Sequence, residues 1–177
     1  SGSGDNTITP GGSGGVSSFR TYFDTGGTNT IDLINYGSGG AYLHMGTTIT
    51  GASYFVGVSM TMSDFGLVSN HQNPISLRWF YGSFQHASGT TGNDTIIGND
   101  LNNVINGDGG ADTIDGGGGT NTLVLNCTLQ SCSSAVVAGD SNIIRTTLGV
   151  ETVKNIQTIQ FTDATYTITD LLNFFVA

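Results

Sequence analysis

The chain has 177 residues, enough for one domain with a sizeable buried core, yet only 10% are charged, 28 are Gly, and 13 acids stand against 4 Lys plus Arg. Glu151 is the sole Glu among those acids, and the bias to Asp favours tight turns and loops over helix. A net charge of −9 gives nucleic acid and anionic membrane surfaces no counter-charge and makes cations the natural partner, while the absence of any apolar run near ~18 residues speaks against membrane insertion.

Residues 1–18 are rich in Gly and Ser and read as a leader or, because SGSGDNTIT sets Gly2, Gly4, Asn6 and Ile8 in the nine-residue frame described below, as a stray repeat row. They hold neither the basic nor the apolar region of a signal peptide, and no Met opens the chain, so a fragment or processed product is expected. Residues 19–88 form a β region leading into the repeats: FRTYF, TIDLI, AYLHM, TTITGASYFVGVSM and PISLRWFYGSF are β-branched and aromatic runs bounded by Gly, Asn and Ser. Residues 89–124 are the repeats. Residues 125–177 form a C-terminal β cap predicted from LVLNC, AVVA, NIIRTT, TIQFT and TYTI. The chain then ends in apolar TDLLNFFVA, where Thr169 or Asp170 is placed to cap a helical turn of Leu171, Leu172 and Phe175. Cys127 and Cys132 in CTLQSC read as a small disulfide-closed loop of an oxidising compartment, with two free thiols on a turn as the alternative. Two Cys without supporting His make no Zn site.

Cut every nine residues, 89–124 reads GTTGNDTII, GNDLNNVIN, GDGGADTID and GGGGTNTLV. The first position is always Gly (Gly89, Gly98, Gly107, Gly116) and the eighth always aliphatic (Ile96, Ile105, Ile114, Leu123), while the sixth is Asp94, Asn103, Asp112 and Asn121. The pattern is G-G-x-G-x-D-x-U-x, with U a large aliphatic residue. Gly permits a tight turn with carbonyls directed inward, and Asp adds charged oxygen to that cage. A short strand follows, its eighth-position side chain facing a thin core. Two units make one coil, so neighbouring turns on one edge come from alternate units, and a metal between them draws on residues eighteen apart. On one edge Asp94 and Asp112 face each other amid the turn residues Gly89, Thr91, Gly92, Gly107, Gly109 and Gly110, a hard oxygen set suited to Ca2+ rather than to Zn2+ or Mg2+. On the other edge Asn103 and Asn121 offer neutral oxygens alone, and Leu101 takes the fourth position in place of Gly. A weaker or empty site is expected there. Asp100, Asp108 and Asp115 add negative field nearby. A flexible Gly/Asn linker would leave the regularly spaced aliphatic residues unexplained.

These units resemble the RTX (hemolysin-type) calcium-binding repeats in the C-terminal domain of serralysin-type secreted metalloproteases. Upstream, FDTGGTNTIDLINYGSGGAYLHMG is similar to that family's segment ahead of the repeats, and downstream GVETVKNIQTIQFTDATYTITDLL is similar to its closing segment. The resemblance implies an all-β parallel β-roll with flanking strands packed as a sandwich-like extension, and Ca2+ as the cofactor. It also implies an extra half-site beside the first unit, formed by Asp24, Gly26 and Gly27, although Asn29 stands where the family has Asp. It implies a secreted protein handled by type I secretion machinery, whose uncleaved C-terminal signal the tail after Asp170 resembles; a simple capping strand or helix is the alternative. Two features depart from the family: the cysteines, and a longer, more aromatic stretch over residues 57–88.

No catalytic constellation is visible. H-E-x-x-H is absent, and His44, His71 and His86 fall on different predicted strands or loops. GGSGG at 11–15 matches G-x-S-x-G only formally, lacking the strand and helix a nucleophile elbow needs. Glu151 and Asp163 give no support to a paired-carboxylate glycosidase. Arg78, Trp79, Phe80 and Tyr81 form either inter-strand packing or a surface for a carbohydrate or a partner. The expected function is a secreted module that folds on extracellular Ca2+, serving as the accessory domain of an extracellular enzyme. The alternative is a self-assembling structural or adhesive unit of a surface layer, filament or adhesin, contacting copies of itself or cell-surface polysaccharide.

Overall fold

A unit of this composition has little choice of structure: the Gly-rich half turns, and the Thr-aliphatic half extends and buries its one large apolar side chain. The computed structural model of the chain describes residues 4–9, 20–23, 26–35, 41–49, 62–70, 73–81, 84–132, 134–138, 141–145 and 149–176. The strands in chain order are β1 (Thr7–Ile8), β2 (Arg20–Phe23), β3 (Asn29–Asp32), β4 (Ala41–Ile49), β5 (Met62–Asn70), β6 (Asn73–Tyr81), β7 (Phe84–Ser88), β8 (Thr95–Ile97), β9 (Val104–Asn106), β10 (Thr113–Asp115), β11 (Thr122–Val124), β12 (Ser134–Ala138), β13 (Ser141–Arg145), β14 (Val150–Lys154), β15 (Thr158–Gln160) and β16 (Thr165–Thr167). Helix α1 spans Ile168–Val176.

The strands form two sheets, ordered β1-β3-β7-β9-β11-β15-β16 and β12-β13-β14-β10-β8-β4-β5-β6-β2. Consecutive repeat strands alternate between them, so β8 and β10 pair in parallel in the larger sheet and β9 and β11 do so in the smaller. The chain is an all-β parallel β-roll, and the repeats sit in its middle. Rows of the same kind continue beyond them. β4 precedes β8 and β14 follows β10, while β1, β3, β7 and β15 extend the other sheet. The flanking strands join these sheets edge to edge. β5 and β6 continue from β4 as an antiparallel meander, and β12 and β13 do the same beside β14.

The core is one side chain deep per strand. Ile8, Ile31, Ala87, Ile105, Leu123 and Ile159 form a register-aligned ladder in the smaller sheet, and Leu43, Ile96, Ile114 and Val153 form the ladder of the larger. Each buried aliphatic side chain contributes roughly 1.5–3 kcal/mol of burial free energy. A core this thin leaves folding dependent on what the turns do. At the C-terminal end β16 closes the smaller sheet by antiparallel pairing with β15, and α1 packs against β12 and β16, burying Leu171.

Three details differ from the sequence expectations. The helix begins at Ile168, with Thr167 as its cap: the Asp170 N–H donates to Thr167 Oγ1 at 3.1 Å, and that hydroxyl donates to Asp170 Oδ2 at 2.6 Å. Strand β5 falls on MSDFGLVSN, a stretch whose Asp64, Gly66 and Ser69 interrupt any apolar run. Leu101 leaves the register of its unit intact, because its N–H donates to Asn99 Oδ1 at 3.0 Å and closes the turn through a side chain. Arg78–Tyr81 lie on β6, but their side chains, like GGSGG at 11–15 and His71, are outside the described residues.

Candidate metal centre

The coil has two unlike edges. Turns 89–94 and 107–112 lead from the smaller sheet to the larger, and turns 98–103 and 116–121 lead back. Neighbouring turns on each edge are eighteen residues apart, and they are tied by one repeated bond: the backbone N–H at the sixth position donates to the sixth-position side chain of the next row. On the first edge the acceptors are acids. The Ala41 N–H donates to Asp94 Oδ1, the Asp94 N–H to Asp112 Oδ1 at 2.7 Å, and the Asp112 N–H to the Glu151 carboxyl. On the second edge every acceptor is an amide. The Asn6 N–H donates to Asn29 Oδ1 at 3.2 Å, Asn29 N–H to Gln85 Oε1 at 2.8 Å, Asn103 N–H to Asn121 Oδ1 at 2.9 Å, and Asn121 N–H to Gln157 Oε1 at 2.6 Å.

The acidic edge is buried. Asp94, Asp112 and Glu151 are 2%, 1% and 3% exposed, an arrangement that costs heavily unless a counter-charge or a full set of donors is present. Asp94 has its donors: besides Ala41, the Thr90 N–H at 2.7 Å and the buried Thr90 hydroxyl at 3.0 Å. Asp112 Oδ2 and Glu151 Oε2 have no hydrogen-bond partner. Burial foremost, then for Asp112 the charge of Asp94 and for Glu151 that of Asp112, raises the Asp112 carboxyl to about 7 and the Glu151 carboxyl to about 8. Asp108 is raised as well, by burial and the charges of Asp32 and Asp94, against bonds from Asn126 and Asn106. Buried acids that cannot ionise comfortably and oxygens without donors are the signature of a place built for a cation.

The glycines explain how the carboxylates fit. A Cβ on Gly89 would fall 2.6 Å from Asp94 Oδ2 and 2.5 Å from the Gly107 carbonyl oxygen, and one on Gly107 would collide with Asp112 Oδ2. The first-position glycine is thus the floor on which the sixth-position carboxylate lies. The fourth position needs Gly for a second reason: Gly110 has φ 112° and stacks 2.5 Å, measured from its would-be Cβ, on the Gly92 carbonyl oxygen. Thr91, by contrast, is exposed, and its backbone, with the carbonyl oxygen 3.8 Å from a Cβ on Gly109, meets the next turn.

On the amide edge the side-chain nitrogens are satisfied by neighbouring oxygens. Asn121 Nδ2 donates to the carbonyls of Gly118 and Asn155, each at 2.9 Å, and Asn103 Nδ2 donates to the Gln85 carbonyl at 3.2 Å and to Asn99 Oδ1 at 3.1 Å. Gly26 and Gly27 belong to this edge too. They lie beside the row of Gly4 and Asp5 rather than beside the first repeat unit, because β3 pairs with β1 and β7, and Asn29 Nδ2 donates to the Gly26 carbonyl at 3.1 Å. Asp24 is outside the described residues. Asp115, also at this edge, ionises more readily than usual: burial opposes this, but Lys154 at 2.9 Å and bonds from Asn155 and the Gly117 N–H outweigh it.

Glu151 is the residue that sequence reasoning missed. It sits at the sixth position of the row in β14, with Thr152 and Val153 aligned to Thr113 and Ile114, but an inserted hairpin hides the frame. Cys127 and Cys132 are joined by a disulfide, and Cys127 lines a small pocket with Gly107, Asp108, Asn126 and Glu151. His44 and His86 lie on opposite sheets. No cluster of three or more His, Cys, Asp or Glu side chains that could hold a metal ion converges among the described residues. No helix among the described residues is long and apolar enough to cross a membrane.

The family model of the RTX calcium-binding nonapeptide repeat, in four copies, matches residues 88–123. No curated protein matches the chain. That repeat is a structural calcium-binding motif, and its frame coincides with the turns and strands described above. The chain carries four RTX calcium-binding nonapeptide repeats at residues 88–123 and binds Ca2+ through them.

Proposed function

We propose that the chain is an export-competent module of a secreted protein that folds when it meets extracellular Ca2+, and that it serves as the accessory domain of an extracellular enzyme. The observation that carries this reading is the buried acidic edge: Asp94 and Asp112, nearly inaccessible to solvent, stacked in turns eighteen residues apart. Gly89, Thr91, Gly92 and Asp94 from one turn and Gly107, Gly109, Gly110 and Asp112 from the next are the residues that would hold the ion. The glycines permit the close approach of the turns, the carbonyls supply neutral oxygen, and Asp112 supplies charge.

Without Ca2+, repulsion along this edge opposes a core too thin to offset chain entropy. Sites of the extracellular kind bind at roughly 10⁻⁴–10⁻³ M Ca2+, so binding free energy becomes folding free energy outside the cell and not within it. The apolar sequence after Asp170, LLNFFVA, is compatible with recognition by a type I secretion apparatus. Closure of the C-terminal end by β16 and α1 favours a module that works as a single copy over one that stacks through that end. The domain plan that follows is a leading row and β region, the repeats at 89–124, and a C-terminal cap over 125–177.

A Ca2+ titration followed by circular dichroism and sedimentation tests the reading, with Asp94→Ala plus Asp112→Ala as control. β signal that rises with millimolar Ca2+, as monomer, and fails in the double variant is expected. Large Ca2+-dependent polymers would instead favour a surface-layer, filament or adhesin unit. A chain fully folded in EGTA and indifferent to Ca2+ would overturn the switch.

A further inference from the structure

We propose that Glu151, outside the matched repeats, supplies the second carboxylate of a Ca2+ site shared with Asp112, so that one ion clamps the repeats to the C-terminal part of the chain. The proposal rests on the reading of the acidic edge as the Ca2+ edge and extends it by one row.

The unpartnered oxygens lead to this site. Asp112 Oδ2 and Glu151 Oε2 are both buried and both lack a partner, and the two carboxyls lie within hydrogen-bonding reach of each other. Two acceptors facing each other need a cation or a proton between them. The backbone explains why the vacancy of donors is here and not one row earlier. In turn 89–94 the second-position N–H, that of Thr90, bonds the Asp94 carboxylate. In turn 107–112 the second position is Asp108, held at φ 70°, and its N–H turns instead to Asn106 Oδ1 at 3.0 Å. A non-glycine residue in that region is uncommon, and here it strips the Asp112 carboxylate of the donor its counterpart enjoys.

The surroundings fit a hard cation. Glu151 also lines a small pocket with room for about one water, together with Gly107, Asp108, Asn126, Cys127 and the apolar Val124 and Leu125. The Asp108 carboxylate is held there by the Asn126 and Asn106 amides, each at 3.0 Å. Cys127, at the pocket wall, is tied up in its disulfide and offers no thiolate, which leaves carboxylates as the charged donors and so favours Ca2+ over Zn2+. The turn is also brought close enough: Gly149 abuts the Gly110 carbonyl with no room for a Cβ, repeating the stacking of Gly110 on Gly92. β14 then leads into β15, β16 and α1, so an ion at this point fixes the cap to the repeats.

Glu151 is the sole Glu of the chain, which makes the test direct. The intact chain labelled with carbon-13 at the glutamate side-chain carboxyl gives one carboxyl resonance from this residue. Titrated with Ca2+, that resonance is expected to move in step with bound ion and to hold its new position when the Ca2+-saturated sample is acidified moderately. In equilibrium dialysis Glu151→Gln is expected to bind one Ca2+ fewer per chain while keeping Ca2+-dependent folding; should that variant not fold, the labelled wild-type chain decides. A resonance that ignores Ca2+ while the chain binds Ca2+ and folds would overturn this inference alone, and one that follows pH throughout would mean that the pair shares a proton. A wild-type chain that binds no Ca2+ would sink both this site and the reading beneath it.

Discussion

Alanine at two glycines of a single turn should separate the role of the carboxylate from that of chain flexibility. At Gly107 the backbone has no positive φ, so alanine is not strained by its dihedrals. Its Cβ, however, would collide with Asp112 Oδ2 and fall 2.9 Å from Asp112 Cγ. The Asp112 side chain is walled in and must leave its place, surrendering the 2.7 Å bond from the Asp94 N–H and its aim at the ion. Loss of a hydrogen bond to a charged group is worth roughly 1.5–3 kcal/mol, partly offset by about 0.4–1 kcal/mol from the stiffer unfolded chain. The net is a Ca2+ midpoint raised by about tenfold, more if coordination is lost outright. At Gly109, two residues on, nothing lies closer than 3.8 Å to the added methyl, so Gly109→Ala should leave the midpoint unchanged or lower it slightly. Ca2+ titrations of both variants by circular dichroism, run beside wild type, give the comparison. Equal midpoints for the two variants would refute the claim that the first-position glycine exists to seat the sixth-position carboxylate.

Three further outcomes follow from the same geometry. Ile114→Ala, at a position 1% exposed in the middle of a ladder, should cost about 2–5 kcal/mol in urea unfolding of the Ca2+-loaded chain; a loss below 1 kcal/mol would mean that the ladder is not the core. Asn121→Asp removes the donor to the Gly118 and Asn155 carbonyls and sets a charge against them, so the variant should be less folded in EGTA and take up an additional Ca2+ by dialysis; unchanged stoichiometry would count against the amide as a stand-in for the ion. Asp112 and Glu151 are raised to about 7 and 8 in the folded chain from unfolded values near ~4. The metal-free fold therefore holds more protons than the unfolded chain between these values, and its stability falls as pH rises from ~4 through 7 to 8. Residual folding in EGTA should therefore be favoured toward acid pH, whereas Ca2+-driven folding of an unfolded chain whose carboxyls are already ionised should keep a midpoint nearly independent of pH over this window; circular dichroism in EGTA and Ca2+ titrations at several pH values check both.

The repeats were legible because their information is local. Gly at the first position, Asp or Asn at the sixth and an aliphatic residue at the eighth state the turn, the ligand and the core within nine residues, and the eighteen-residue spacing of Asp94 and Asp112 follows from them. The rows outside the array keep the core position but not the rest: Ile31, Ala87 and Val153 point inward from rows whose sixth positions are Asn29, Gln85 and Glu151. Their place beside the repeats is decided by parallel pairing across long insertions, a non-local choice that no window of sequence displays. Glu151 was passed over for that reason. The acid edge and the amide edge are legible within the repeats, from Asp94 and Asp112 against Asn103 and Asn121, but their continuation into Asn29, Gln85, Glu151 and Gln157 depends on which sheet each outlying strand joins. Strand β5 was hidden differently, since a strand held between β4 and β6 in an antiparallel meander outside the coil needs backbone partners more than an apolar run.

Two unlike edges on a two-unit coil give the array a parity. Adding or deleting one unit would send every later strand to the opposite sheet, so that a change ahead of Asp112 would set Asp112 over amides, and a change after it would take Glu151 from its counterpart. Adding or deleting a pair would leave all of these relations standing. Both inserted hairpins obey the same constraint, since β4 to β7 and β11 to β14 each still pass from one sheet to the other. A single-unit change would be, in effect, a frameshift written in the fold rather than in the codons, and this geometry tolerates length changes by even counts of repeats and by excursions that return to the sheet they were due to reach.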